Sequence, residues 1–336
     1  MLSLEDAPAV FAPLASARKL VLAVSGGPDS VALMLLAAHW PARPPLCVAT
    51  VDHGLRPDSG AEARAVALWA AALGLPHRTL VWQGDKPASR VQEKARQARY
   101  GLLLACAAAT GADAIVTAHH SDDQAETILF RLLRGSGPAG LAGMRAAQPR
   151  GPVMHWRPLL DHAKADLVAL CQRACHPWFD DPSNRNEMFA RPRLRRLGAV
   201  LAGQGFDKTA ILRLGHRAAQ AEAALDDMAQ RLGADWPVQR SAGHSAAPAA
   251  AWAQLPAEIA QRLLAREIMR LAGAALPLRL ERLERTSAGL RAAVVAQTVF
   301  AASLGGGVIR LDRAGVLHLR PESPRRRGRK SAPEPD

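Results

Sequence analysis

The first half of the chain alternates short apolar runs with stretches of helical spacing, and this alternation limits the folds open to it. Four runs rich in valine, isoleucine and leucine predict buried strands: Leu20–Ser25, Leu46–Asp52, Arg78–Trp82 and Asp113–Ala118. Four further stretches predict helices: Ser30–His39, Ala61–Leu73, Val91–Ala109 and Asp122–Arg134. The pattern predicts an α/β fold, a parallel sheet with helices on both faces. Ligands of such sheets bind at the carboxyl ends of the strands.

The remaining chain predicts a second, smaller α+β domain. Gly135–Gly143 is glycine-rich and predicts a loop or lid, Ser241–Ala251 is of low complexity and predicts a linker, and Thr209–Leu232 predicts a long helix that connects two domains. Shorter helices are predicted over Lys164–Cys175, Pro256–Ala272 and Arg279–Leu290. Short strands are predicted over Val294–Leu304, Gly307–Asp312 and Val316–Leu319. The predicted division is 1–204, 205–320 and a basic disordered tail, 321–336.

Charge narrows the class of partner. The 336 residues include 43 Lys and Arg against 30 Asp and Glu, a net charge of +13 that favours a polyanion such as nucleic acid or a membrane surface. Aromatic residues make up only 4%, which argues against a platform that stacks single-stranded bases. A run of 18 apolar residues does not occur, so the sequence predicts a soluble, cytoplasmic protein with no membrane partner. Solvated helical faces remain the alternative explanation of the excess charge.

The stretch VLAVSGGPDS predicts a strand that runs into a phosphate-binding loop. The loop consists of Ser25, Gly26, Gly27, Pro28, Asp29 and Ser30. Glycines allow close approach, backbone amides at a helix N-terminus attract anions, and Asp29 can hold a divalent cation. The lysine of the common G-K-[ST] phosphate loop is absent. A plain strand-to-helix turn capped by serine or aspartate is the structural alternative.

Further polar residues follow the other predicted strands. In HHSDDQAET, Asp123 and Glu126 are three residues apart, so they share a helix face and can grip one metal ion, although acidic residues also favour first turns as caps. His53 ends the second strand, in DHGLR. Arg96 and Arg99, in EKARQARY, lie one turn apart and can clamp phosphates, or can simply face solvent.

Cysteine spacing argues against a cluster or zinc site. Cys47, Cys106, Cys171 and Cys175 form no C-x-x-C pair. Cys47 and Cys106 fall in apolar runs and are expected to be buried small hydrophobes. Cys171 and Cys175 are expected to share a helix face but have no further ligands nearby.

Taken together, these motifs resemble a known family. SGGPDS is similar to the SGGxDS loop of the PP-loop ATP pyrophosphatases, a Rossmann-like superfamily that splits ATP between its first and second phosphates. DHGLR, EKARQARY, TAHHSDDQAETILFRLLRGSGPAGLAGM, RPLL and DPSN add a more selective resemblance, over about Leu20–Val200, to the tRNA(Ile)-lysidine synthetases. The resemblance implies that AMP is transferred and pyrophosphate departs, which would explain the missing lysine.

The resemblance also implies a reaction and roles. ATP and Mg2+ would adenylate the wobble cytidine of an isoleucine tRNA with a CAU anticodon, and free L-lysine would then displace AMP to give lysidine. ATP would be held by Ser25–Ser30 and His53. Mg2+ would be surrounded by Asp29, Asp123 and Glu126, and the adenylated intermediate would be stabilised by Arg96 or Arg99. Arg191, Arg193, Arg195 and Arg196 would contact RNA, and the resemblance also allows a homodimer.

One departure and several rival functions accompany this resemblance. Pro192 stands where the family usually has an asparagine, which puts a specific role of that helix start in doubt. A sulfur-inserting PP-loop enzyme of the tRNA 2-thiolation type would need a cysteine pair that is absent. An amide-forming ligase would lack the basic surface, and a non-catalytic RNA-binding module would bind ATP without turnover.

Overall fold

The computed structural model describes residues 2–84, 86, 89, 91–180, 196–198, 200–273 and 278–322. Contacts between Cα atoms divide the chain into two compact units. Unit 1 comprises Met1–Gly135 and Gly140–Arg217, and unit 2 comprises Ser136–Ala139 and Ala218–Asp336. The functional division at residues 204 and 320 stays a prediction.

Unit 1 contains a six-stranded sheet of order β3-β2-β1-β4-β6-β5. Its strands are β1 Leu20–Ala23, β2 Leu46–Asp52, β3 His77–Val81, β4 Ala114–Val116, β5 Ala147–Arg150 and β6 Val153–Trp156. All neighbouring pairs are parallel except β5 and β6, which form an antiparallel hairpin at one edge. The predicted α/β fold with a mainly parallel sheet is therefore confirmed, and the antiparallel edge strand is an addition to it.

The helices up to residue 173 are α1 Ala7–Phe11, α2 Pro28–Ala38, α3 Ser59–Ala72, α4 Val91–Thr110, α5 Ser121–Leu132, α6 Pro138–Leu141 and α7 Lys164–Arg173. Helices cover both faces of the sheet: α1, α2, α3 and α7 share a core with one face, and α4 with the other. Successive side chains of β1 point to opposite faces. Leu20 and Leu22 enter the core formed with α2, α3 and α7, whereas Val21 packs with α4. Burial on both faces explains why these strands read as continuous apolar runs.

Unit 2 is built around a five-stranded antiparallel sheet of order β7-β8-β11-β10-β9. The elements after α7 are α8 Lys208–Ala234, β7 Gln239–Ser241, β8 His244–Pro248, α9 Ala249–Gln254, α10 Ala257–Ala272, α11 Leu280–Val295, β9 Phe300–Leu304, β10 Gly307–Leu311 and β11 Val316–Pro321. One sheet face and the helices α9, α10 and α11 share a core that includes Trp252, Leu264 and Leu290. The dividing residue of the two units, Arg217, falls inside α8.

Four local predictions were wrong. Ser241–Ala251 is not a linker, because its small residues alternate between buried Ser245 and Ala247 and more exposed neighbours, as a sheet strand requires. The strand predicted from Val294 begins only at Phe300, since α11 continues to Val295 with Ala293 buried against the core. The Gly135–Gly143 loop contains α6. Helix α7 ends at Arg173, so Cys171 and Cys175 do not share a helix face.

None of the helices within the described ranges combines the length and the apolar character that crossing a bilayer requires.

Candidate active site

The turn between β1 and α2 needs a glycine at its second residue. Gly26 has a φ of +88°, a region that L side chains rarely adopt. A Cβ on Gly26 would lie 2.8 Å from Cδ2 of Phe179, whose backbone N–H donates to the Gly26 carbonyl at 2.9 Å. The loop therefore curves tightly beneath Phe179, and any larger residue would open it.

Ser30 supports the loop from inside. Its hydroxyl oxygen accepts from the backbone N–H groups of Ser25 and Gly26, both at 3.1 Å, and donates to the carbonyl of Gly27 at 2.9 Å. Ser30 is only 6% exposed. Helix α2 begins at Pro28, where the missing N–H costs nothing, and the other first-turn amides have no acceptor within the helix. The structure thus provides an anion cradle that is already shaped.

Asp29 and Asp123 meet at the mouth of this loop, with a histidine between them. Nε2 of His120 lies 3.5 Å from Oδ2 of Asp29 and 3.4 Å from Oδ2 of Asp123. His120 is buried, which opposes its charge, but the contact with Asp29 and the charge of Asp123 raise its pKa above the ordinary value. His120 stands in the same HHSDDQ run as Asp123, but the spacing of that run predicted no role for it.

Within the described ranges, no group of three or more His, Cys, Asp and Glu residues is arranged as a metal-ligand set. Oδ1 of Asp29 is nevertheless buried without a hydrogen-bond partner among these residues, as a carboxylate oxygen destined for a cation would be. Glu126 is half-buried one turn beyond Asp123 on α5. A shared role of Asp29, Asp123 and Glu126 in holding Mg2+ stays a prediction.

Two lysines that the sequence analysis missed approach the same place. Asp122 accepts from the backbone N–H of Lys164 at 2.9 Å and from Nζ of Lys208 at 3.1 Å. Burial opposes ionisation of Asp122, yet these donors lower its pKa below the ordinary value. Nζ of Lys164 lies 3.9 Å from Oδ2 of Asp29. The N-termini of α2, α5 and α7 therefore converge, and their dipoles make this region favourable for an anion.

His53 and Arg99, which were predicted separately, are in contact. Arg99 donates to Nε2 of His53 at 3.3 to 3.4 Å, and His53 packs edge-on against Trp82. Burial, and then the charge of Arg99, lower the pKa of His53 to about 4, so its imidazole is neutral at pH 7. Nδ1 of His53 is buried without a partner among the described residues. Arg96 instead lies over the ring of Tyr100 at 5.3 Å.

A buried hydrogen-bonded chain stands behind β4. Nη2 of Arg157 donates to Nδ1 of His155 at 3.0 Å, Nε2 of His155 lies 2.8 Å from the Thr117 hydroxyl, and this hydroxyl lies 2.7 Å from Nδ1 of His119. Because arginine can only donate, Nδ1 of His155 accepts, and the neutral ring of His155 carries its proton on Nε2, which donates to the Thr117 hydroxyl. This hydroxyl has both a donor and a remaining acceptor site for Nδ1 of His119. Apart from the paired histidines, nothing in the sequence pattern indicates this hydrogen-bonded network.

His155 should make unit 1 sensitive to acid. Burial, and then the charge of Arg157, lower its pKa from 6.5 to about 3. Above pH 6.5 His155 is neutral in both the folded and the unfolded chain, so it does not change the free energy of unfolding with pH. Below pH 6.5 the unfolded chain binds a proton that the folded chain does not. The free energy of unfolding therefore falls by about 1.4 kcal/mol for each unit by which the pH is lowered toward 3. The free energy of unfolding, measured by urea denaturation, should therefore depend less on pH in a His155→Leu variant than in the wild type. Between pH 6 and pH 4 the difference in slope should be about 1.4 kcal/mol per pH unit. Equal slopes would contradict the prediction.

Side chains of α5 hold the glycine-rich segment that follows it. Nε2 of Gln124 donates to the carbonyl of Met144 at 2.9 Å, and Oε1 of Gln124 accepts from the backbone N–H of Met144 at 2.7 Å. Nη1 of Arg131 donates to the carbonyls of Gly140 and Gly143 at 2.9 and 2.7 Å. The resemblance of this run to a known family therefore corresponds to a physical unit, a helix and the loop it anchors.

Most of the predicted RNA-binding residues lie outside the described residues. These are Arg191, Arg193 and Arg195, with the basic tail Arg325–Lys330. Arg196 belongs to a helical segment and is exposed.

The cysteines do not assemble at the site. All four are free thiols, and Cys47 and Cys106 are buried together in the core beneath α4, as expected for small hydrophobes. Cys47 lies near the amino end of β2, away from the carboxyl edge where the loop stands. Cys171 is buried with its thiol 3.4 Å from the Pro28 carbonyl, whereas Cys175 is exposed.

Comparison with known proteins agrees with the fold and the loop. A family model of the PP-loop domain matches residues 4–200. U34-tRNA thiolase NcsA from Methanococcus maripaludis, solved with its [4Fe-4S] cluster, superposes with a TM-score of 0.54 at 15% identity, over 64% of this chain and 77% of that chain. At this identity the likeness shows the fold alone. Fold and site together define a PP-loop enzyme, which uses ATP.

Relatives of known name specify the family within this class. The tRNA(Ile)-lysidine synthase of Methylobacterium sp. (strain 4-46) is 50% identical over 93% of this chain and 91% of its own. The same enzyme of Methylobacterium nodulans is 49% identical over 92% of both chains, and that of Bradyrhizobium sp. (strain BTAi1 / ATCC BAA-1182) is 45% identical over 97% and 96%. The chain belongs to the tRNA(Ile)-lysidine synthase family.

Proposed function

We propose that this protein ligates free L-lysine to the wobble cytidine of the isoleucine tRNA with a CAU anticodon, using ATP, and that it does so in the cytoplasm. The observation that carries the proposal is the meeting of Asp29 and Asp123 beside the loop at Ser25–Ser30, in a chain of the lysidine synthase family. The loop accommodates phosphates and the carboxylates can hold cationic groups.

The residues of unit 1 suit a reaction in which pyrophosphate departs. Backbone amides at the start of α2 would hold the departing phosphates, since the Ser30 hydroxyl already keeps the loop in shape. Neutral His53, with a buried Nδ1 in need of a partner, would bind the nucleoside part of ATP. Arg99, which is exposed beside His53, would stabilise the adenylated cytidine before the lysine amine displaces AMP.

The three carboxylates supply the type of oxygen donor that a magnesium ion prefers. Asp29 would hold it through its unpartnered Oδ1, with Asp123 and Glu126 completing the oxygen ligands that Mg2+ prefers. When bound, the ion would neutralise charge on the phosphates of ATP.

Unit 2 would hold the body of the tRNA. Its sheet buries Ile309 and Leu311, so Arg310 between them lies on the opposite, solvent face, where it pairs across strands with His318. Arg320 lies on the same face and is exposed, as Arg310 is. Basic side chains on a solvent face suit contacts to phosphates, which position RNA without reading its sequence. Arg196 and the arginines from 191 to 195 would add to this binding.

One incubation tests the proposed function. The protein, ATP, MgCl2, labelled lysine and total tRNA are combined, and the nucleosides of the digested tRNA are separated. Labelled lysidine in the isoleucine tRNA is the expected product. Tight ATP binding without pyrophosphate release would indicate a non-catalytic module, and a sulfur-containing nucleoside formed with a sulfur donor would indicate a thiolase; either would contradict the proposal.

Neutral replacements of the two carboxylates on α5 should change the magnesium requirement. Asp123→Asn and Glu126→Gln keep the shape of the side chains but remove one charge each, so each should raise the MgCl2 concentration for half-maximal activity about tenfold, or abolish activity. Initial rates of lysidine formation across a MgCl2 series provide the measurement. Asp113→Asn, at the start of β4 far along the strand from α5, is the matched control. Wild-type magnesium dependence in both variants would exclude the shared ion.

A further inference from the structure

Lys164 occupies a helix position that disfavours its charge. It is the first residue of α7, where aligned peptide dipoles make the helix end positive and favour Asp or Glu instead. A lysine kept for the stability of α7 would stand near the C-terminus of the helix. Its place therefore indicates a role outside the helix, toward something negative.

The fold holds this lysine at the phosphate loop. The backbone N–H of Lys164 donates to Oδ2 of Asp122 at 2.9 Å, and the N–H of Ser121 donates to the His162 carbonyl at 2.9 Å. These two bonds tie the start of α7 to the start of α5. From this anchor the side chain reaches Asp29, with Nζ at 3.9 Å from Oδ2.

The ammonium group also remains able to bind a ligand. A separation of 3.9 Å is too long for a hydrogen bond, so the ion pair with Asp29 orients Lys164 without engaging its N–H donors. The side chain is 43% exposed. Among the described residues no hydrogen bond engages this ammonium group, so an anion in the loop at Ser25–Ser30 would find its N–H donors available.

We propose that Lys164 binds the pyrophosphate portion of ATP, so that α7 supplies the lysine which the loop lacks in its own sequence. This inference rests on the proposed function. There the cytidine attacks the first phosphorus of ATP, the bond from that phosphorus to the bridging oxygen breaks, and pyrophosphate leaves with the electron pair. An ammonium group aimed at the departing phosphates stabilises the charge that develops on them.

Nucleotide binding by the full-length protein tests the proposal. The affinities for ATP, AMP and inorganic pyrophosphate are measured by calorimetry, once with MgCl2 and once with EDTA. Lys164→Ala should weaken ATP and pyrophosphate by about 10- to 100-fold and change AMP by less than about twofold, because only the first two ligands carry the departing phosphates. Lys164→Arg should restore most of the lost affinity. Lys19→Ala is the matched control, since Lys19 directly precedes β1, at the end of that strand opposite to the loop.

Two outcomes would overturn the proposal. Wild-type affinity of Lys164→Ala for pyrophosphate would show that the lysine does not contact it, and an equal loss for AMP would assign Lys164 a purely structural role. Lys164→Gln, which keeps the length of the stem, replaces the alanine variant if that variant unfolds. None of these measurements needs tRNA or lysine. A protein that forms no lysidine but shows the pyrophosphate-selective loss would contradict the proposed function alone.

Discussion

Replacement of Asp29 by alanine should abolish ATP-dependent pyrophosphate release while leaving the fold of unit 1 intact. Oδ2 of Asp29 lies 3.5 Å from Nε2 of His120 and 3.9 Å from Nζ of Lys164, and Oδ1 of Asp29 is buried without a partner among the described residues. An acidic group at the mouth of a phosphate loop repels phosphates unless a cation lies between. Loss of that cation's ligand should lower the rate by on the order of a hundredfold or more.

The measurement is pyrophosphate release in the presence of isoleucine tRNA, lysine and saturating ATP. Asp29→Asn removes the charge but keeps the shape, and it should be impaired nearly as much if the charge is what matters. Asp58→Ala is the matched control, because Asp58 is an acidic residue at the start of another helix, α3, and makes no side-chain cap hydrogen bond. Wild-type turnover of Asp29→Ala would reduce this residue to a helix-terminal acid without catalytic importance.

Removal of unit 2 should separate tRNA modification from ATP binding. A chain ending after Arg217 keeps the loop, its carboxylates and both cores of the first sheet. It also keeps Ile211, which is buried with Ile128, and Lys208, which contacts Asp122; a cut at residue 203 would lose both. ATP affinity should be near that of the whole protein. The affinity for tRNA should fall by roughly a thousandfold, because specific RNA binding needs a large, positively charged surface.

The decisive measurement is lysidine formation by the truncated chain at saturating ATP and lysine and at low tRNA concentration. A chain that lacks only residues 323–336 is the control for lost charge. It should show a flatter salt dependence of RNA binding but the same preference for the isoleucine tRNA over the methionine tRNA. Full activity of the chain ending after Arg217 at low tRNA would make unit 2 a stabilising appendage.

Local patterns were sufficient for much of unit 1. The runs that begin at Leu20, Leu46 and Asp113 each predicted a strand, and β2 has the predicted bounds. These strands are buried on both faces, so their sequences contain little besides apolar residues. Patterns failed where small residues carry little information: the alanines between Ser241 and Ala251 pack as β8 and α9, and periodicity could not show this.

The sequence by itself determined the chemistry that the chain can offer. The order of glycine, serine and aspartate in Ser25–Ser30, and the acidic start of α5, mark a phosphate loop with nearby carboxylates because these residue types serve close approach and charge wherever they stand. The family followed from the same motifs. The motifs did not distinguish Arg96 from Arg99 as the residue that serves the intermediate, whereas the structure places Arg99 beside His53 and Arg96 over the ring of Tyr100.

Only the tertiary structure decided how these groups meet. Lys164 comes 135 residues after Asp29 in the chain, and no spacing rule relates the two, yet parallel strands place the starts of α2, α5 and α7 at one edge of the sheet. The same packing sets His120 between Asp29 and Asp123 and buries His155 behind them. The sequence specifies the type of each side chain. The folded sheet decides which distant segments surround that side chain, and these segments determine its partners, its exposure to water and therefore its pKa.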